Sequence, residues 1–197
     1  MSVLARRIPV LLALLALLTL PAAPPARAAT LAGVTMPDTV EVAGQTLHLN
    51  GMGLREATFL KIDVYVAGLY LARPTRDAAA ILADEGPKRL VMHFVRGVGA
   101  KKLVHAWHEG FEKVAARDEA EIRAGEKQLC SYMEDVSEGD EIVLTEIPGK
   151  GVEVSVKGRV KGIIPGRAFA RALWSIWLGP NPPNEDLKEG LLGLGDD

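Results

Sequence analysis

Residues 51–71 read GMGLREATFLKIDVYVAGLYL, and two side chains in that stretch could do chemistry, Arg55 and Tyr65. A guanidinium presents a planar fork of donors that fits a carboxylate or a phenolate. Arg55 stands at the front of a run whose composition marks it for burial, so it needs a partner. Water at a strand end is one, and Glu56 or Asp63 is another. A ligand anion is the third. Tyr65 raises the same question, because a buried phenol normally finds a hydrogen-bonding group. A backbone carbonyl would serve, and so would a carboxylate shared with Arg55.

The other candidate residues point to structure. His105 and His108 lie off the apolar stripe of their helix, and each has a carboxylate four residues on, Glu109 and Glu112. Such pairs belong on a solvated face, and with no cysteine or further histidine beside them no metal site is expected. Cys130 is the single cysteine. It can form no intramolecular disulfide, and in EKQLCSYME it reads as a small apolar residue of a helix. His48 and His93 stand alone in strand patterns. Lys157, Arg159 and Lys161 alternate along a strand, with Arg167 and Arg171 beyond. They read as a solvated strand edge that deters aggregation, with steering of an anion as the alternative. Tyr70 reads as packing, and the Trp174/Trp177 pair as core or as the wall of a cleft. No catalytic residue and no cofactor follow from the residues themselves.

The elements that must position Arg55 and Tyr65 follow from periodicity. Thr39–Ala43 and Thr46–Leu49 flank Gly44-Gln45 as a hairpin, and Asn50-Gly51-Met52-Gly53 reads as a turn. Residues 58–72 are too continuously apolar for a strand with one wet face, which predicts a central strand covered on both sides. Gly68 within it suggests a bulge or the close approach of another backbone, and Tyr65 should face away from Val64 and Val66. A short helix over 77–84, capped by Thr75 or Asp77, precedes a strand at Arg89–Val95. Leu103, Trp107, Phe111 and Val114 recur at helical spacing, and a second helix runs near 118–134. EIVLTEI, GVEVSV and GRVKGII then form a three-stranded meander. Pro165 opens a helix that ends at Gly179, and a last helix follows Asn184. The sum is an α+β domain over residues 30–194, a mostly antiparallel sheet with helices grouped against it.

The N-terminus reads as an export signal. Arg6 and Arg7 precede the apolar stretch IPVLLALLALLTL, and Ala26-Arg27-Ala28 fits the small-x-small cleavage pattern, so residues 1–28 form a signal peptide. The apolar stretch is shorter than the ~20 residues of a spanning helix, which sets a cleaved signal above the alternative, an uncleaved anchor, and no membrane span remains after cleavage. The expected location is outside the cytoplasm, the periplasm where the host has two membranes. Without the leader the chain keeps 20 basic and 25 acidic residues, about −5 in net charge. That balance excludes a general attraction to nucleic acid. Protein partners are not indicated.

Two stretches together resemble the chalcone isomerase-like family: NGMGLR…KIDVYVAGLYLARP at 50–74 and LWSIWLGPNPPNEDLKEGLLG at 173–193. The first resembles the family's Gly-x-Gly-x-Arg segment leading into a Val-Tyr-x-x-Gly-x-Tyr strand, the second its C-terminal helix, Pro linker and Asp-Leu-Lys helix. The element order between them agrees, and an exported version with tyrosine in the strand is most similar to the bacterial secreted branch. The resemblance implies an open-faced antiparallel sheet packed against helices, with a ligand cleft between. In chalcone isomerases the arginine stabilises a substrate oxyanion, beside threonine, tyrosine and asparagine. Fatty-acid-binding members keep the arginine and add a strand tyrosine, and the two hold a carboxylate. Tyr65 falls where the enzymes carry threonine, and its ring would fill space that a chalcone needs. The resemblance therefore implies a non-catalytic binder of a small apolar anion such as a fatty acid, held by Arg55 and Tyr65. The alternatives are an intramolecular lyase acting on a phenolic substrate through Arg55, and a structural or interaction protein with a vestigial cleft.

Overall fold

The computed structural model describes residues 28–57, 62–114 and 120–195. The leader read over residues 1–28 lies outside these residues except for Ala28. So do residues 58–61 of the apolar run, 118–119 of the second long helix, and Asp196 and Asp197.

Among the described residues, seven strands form one antiparallel sheet in chain order. They are β3 (Thr39–Val42), β4 (Gln45–Ala57), β5 (Ile62–Leu71), β6 (Lys88–Phe94), β7 (Glu141–Ile147), β8 (Gly151–Val156) and β9 (Arg159–Ile164). A separate hairpin, β1 (Ala28–Leu31) and β2 (Val34–Pro37), precedes them. The helices are α1 (Ala78–Ala83), α2 (Ala100–Val114), α3 (Ala120–Ser131), α4 (Arg167–Leu178) and α5 (Glu185–Leu191). The architecture is the expected α+β one. β5 is central and buried on both faces: Tyr65, Ala67 and Leu69 join the core under the helices, while Val66 and Tyr70 face the other way.

Local chemistry accounts for the helices. Asp77 caps α1, its carboxylate accepting from the amides of Ala79 and Ala80 at 2.9 and 3.1 Å. α2 buries the Leu103, Trp107 and Phe111 stripe. α4 buries most of its surface, and its first turn is capped from a distance: Glu121 of α3 accepts from the amide of Ala168 at 2.7 Å.

Three local expectations are revised, and one element is new. Asn50–Gly53 is not a turn, because β4 runs straight through it with a register shift between Leu49 and Gly51. Its glycines serve close approach instead. A Cβ on Gly53 would lie 2.3 Å from the Leu187 carbonyl oxygen, and one on Gly51 2.1 Å from that of Gly190, so α5 lies directly on β4. Asn50 anchors the contact by donating to the Leu191 carbonyl at 2.8 Å. Gly68 admits a side chain, not a backbone: a Cβ there would lie 2.3 Å from the sulfur of Met36 on β2. The β1–β2 hairpin, which the periodicity did not reveal, thus covers the face of the sheet away from the helices. Finally, Val64 does not oppose Tyr65. The register shifts from Arg55↔Tyr65 to Glu56↔Asp63, so Val64 is an extra residue of β5, and both it and Tyr65 reach the same cleft.

Candidate ligand cleft

β4 and β5 set Arg55 opposite Tyr65, and β5 and β6 set Tyr65 opposite Phe94. Directly opposed residues on antiparallel strands share a face. Arg55, Tyr65 and Phe94 therefore form one row across three strands, on the side covered by α2 and α4. Beside the row lies a cleft of about 410 Å³, within the ~300–1,000 Å³ usual for small-molecule sites. Ile62, Val64, Met92 and Leu103 supply aliphatic wall, and Trp107 and Trp177 supply aromatic wall. Edge contacts hold the rings, between the helices for Trp107 and Trp177, with centroids 5.7 Å apart, and between β5 and β6 for Tyr65 and Phe94, with centroids also 5.7 Å apart.

Arg55 is half-buried, and its guanidinium donates to the Glu56 carbonyl. Among the described residues no carboxylate lies within ion-pairing distance of it, so the expected pairing with Glu56 or Asp63 does not form. Those two acids instead face each other across β4 and β5 beyond the bulge. Tyr65 is 7% exposed. Its oxygen meets a donor, not the carbonyl expected of a core tyrosine: Trp177 Nε1 donates to Tyr65 Oη at 3.1 Å. Burial pushes the phenol pKa up, against smaller opposing effects of the Trp177 hydrogen bond and the Arg55 charge. Tyr65 is therefore a neutral phenol whose own proton is directed away from the indole.

Three cations that the sequence reading did not single out also line the cleft: Arg96, Lys102 and Lys113. The one acid among the described lining residues, Glu109, pairs with His105 at 3.3 Å. No Ser, Thr, Cys or His lines the cleft among the described residues. The arrangement can hold an acceptor-bearing anion with an apolar body.

The remaining candidates fall elsewhere. His105 pairs with Glu109 as its spacing implied, but His108 reaches Glu126 of α3 instead of Glu112, because α3 packs beside it. Among the described residues no group of three or more His, Cys, Asp or Glu is placed to hold a metal. The Cys130 thiol is pushed up to about 11 by burial and then by the Glu126 charge, the opposite of activation. Arg159 and Lys161 both meet Glu134, at 2.7 and 3.4 Å, and Lys157 meets Asp140 at 3.6 Å. Arg159's hydrogen bond, with lesser help from Lys161, holds the Glu134 carboxyl below its usual range. These three strand cations thus pair with acids. Among the described residues, no helix is long and apolar enough to cross a membrane.

A family model described as chalcone isomerase-like matches residues 28–193. The crystal structure of an Arabidopsis thaliana fatty-acid-binding protein matches with a TM-score of 0.61 and 18% identity, covering 84% of this chain and 96% of that one. At that identity the likeness is one of fold. No curated protein matches.

Proposed function

This chain belongs to the chalcone isomerase-like family, and on that footing we propose that it is an exported, non-catalytic binder of a small apolar anion such as a fatty acid. The observation that carries the reading is the row of Arg55 and Tyr65 at the wall of an apolar cleft, with no described carboxylate on the arginine. The guanidinium neutralises the head group, and the phenol donates a second hydrogen bond to it. The apolar tail lies against the aliphatic and indole walls. The fold shared with a plant fatty-acid-binding protein supports the reading. Open volume beside Arg55 argues against a vestigial cleft. The isomerase alternative is weakened by the tyrosine beside Arg55 and by the lack of a threonine among the described lining residues.

Native mass spectrometry and lipid extraction of protein purified from its own host test the ligand class. A co-purifying long-chain acid is the expected result. An empty protein that also accelerates the absorbance loss of a chalcone would replace this reading with the isomerase one. Export rests on the leader at residues 1–28. The mature protein should begin at Ala29 by N-terminal peptide mapping, and recovery of the intact leader would contradict it.

A further inference from the structure

We propose that Trp177 is a positioning residue that biases the anchor of the cleft toward donating, so that it favours an ionised free acid over an alcohol of the same chain. The inference rests on the reading of Arg55 and Tyr65 as the anchor and concerns how that anchor discriminates.

An indole nitrogen carries one hydrogen and cannot accept. At 3.1 Å from Tyr65 Oη, Trp177 can only donate, which makes the phenol oxygen the acceptor. Both residues are buried, so water does not compete for that contact. An edge-type contact with Trp107 holds the Trp177 ring in place, and one with Phe94 holds the Tyr65 ring. The phenol therefore cannot turn its proton toward Trp177, and with the indole occupying its oxygen it is a poor acceptor for a ligand hydroxyl. Beside it Arg55 offers only donors. A carboxylate satisfies two convergent donors. An alcohol brings a proton of its own that neither side chain is set to receive, and an unmet buried donor is penalised. A tryptophan on a helix thereby sets the specificity of a site it touches only through a tyrosine.

The test compares dodecanoate with dodecan-1-ol as probes. In the wild type dodecanoate should bind more tightly. Trp177→Phe keeps an aromatic wall and removes the N–H together with the pyrrole part of the ring, and lost wall area alone would weaken both probes alike. The variant should weaken dodecanoate roughly three- to tenfold, the effect of one lost hydrogen bond, and leave dodecan-1-ol unchanged or slightly tighter. Equal weakening of both probes, or no change in either, would overturn the proposal, because a mere wall does not alter their ratio. The wild type supplies a second readout that does not depend on the variant folding. The Trp177 indole N–H resonance should move when dodecanoate binds and stay when dodecan-1-ol binds, and an unmoved resonance with bound dodecanoate would overturn the proposal. Arg55→Ala separates the two levels. If it leaves dodecanoate affinity intact, the anchor itself is misassigned; if it weakens binding while the Trp177→Phe ratio is normal, only the positioning role fails.

Discussion

Two places where α4 meets the sheet use similar parts and end differently. On one, Trp174 Nε1 donates to the Glu146 carboxylate at 2.6 Å, and Glu146 pairs with Lys88 at 2.8 Å. Lys88 is 1% exposed, and its ammonium also donates to the Asp84 carbonyl at 2.7 Å and stands 5.9 Å from the Trp174 ring. On the other, Trp177 donates to Tyr65, Arg55 stands beside it, and no described carboxylate completes the set. At the first place the chain supplies cation, carboxylate and indole donor. At the second it supplies the cation, a phenol and the donor, and leaves space where the acid would be. A fully buried charge must be paired, so Lys88 has its partner built in. Arg55 is only half-buried and can wait for one. The closed set fixes the fold, and the open set is what a binding site for an acid needs.

Breaking the closed side should have the largest effect. Glu146→Ala strands a buried ammonium and an indole donor, and chemical denaturation should show a loss of about 3–5 kcal/mol. Lys88→Met together with Glu146→Leu should recover much of that loss. Disturbing the strand that carries the open side comes next. Gly53→Ala puts a methyl against the Leu187 carbonyl and should cost about 1–3 kcal/mol, with weaker ligand binding because β4 also holds Arg55. The third test contrasts two phenols. Tyr70 is closed onto the backbone, donating to the Pro37 carbonyl at 3.0 Å, and its pKa is pushed up to about 12, chiefly by burial and then by the Glu141 charge. An unfolded tyrosine titrates near ~10. Between those values the unfolded chain gives up its proton first, so this contribution is complete below the unfolded pKa and is lost as pH rises through the folded one. The alkaline arm of the stability profile should be shallower in Tyr70→Phe. The smallest effect belongs to the surface pairs. Arg159→Ala should leave both stability and ligand affinity unchanged within error, since the Arg159–Glu134 pair is solvated.

Much of the fold was legible because periodicity reports burial. The continuous apolar run gave β5 as a central strand, and the Leu103, Trp107 and Phe111 stripe gave α2. What failed has one physical cause: a local pattern with two possible origins. Glycines at positions 51 and 53 suit a turn, but here they let a helix far away in sequence lie on a strand. His108 has acids at helical spacing on its own element, yet a neighbouring helix brings Glu126 closer. Arg55 and Tyr65 were legible as a pair because each needs a partner and the family resemblance supplied one. Trp177 was visible as a possible cleft wall, but its bond to Tyr65 joins residues at opposite ends of the domain, and no local spacing encodes that.

On the proposed function, Arg55 stands ready for an external carboxylate. Calorimetric titration of dodecanoate into the wild type and Arg55→Ala tests it most directly. Loss of a charge-assisted hydrogen bond should reduce affinity about tenfold to a hundredfold, with the unfolding midpoint of the ligand-free protein unchanged. Equal affinities in the two proteins would contradict it.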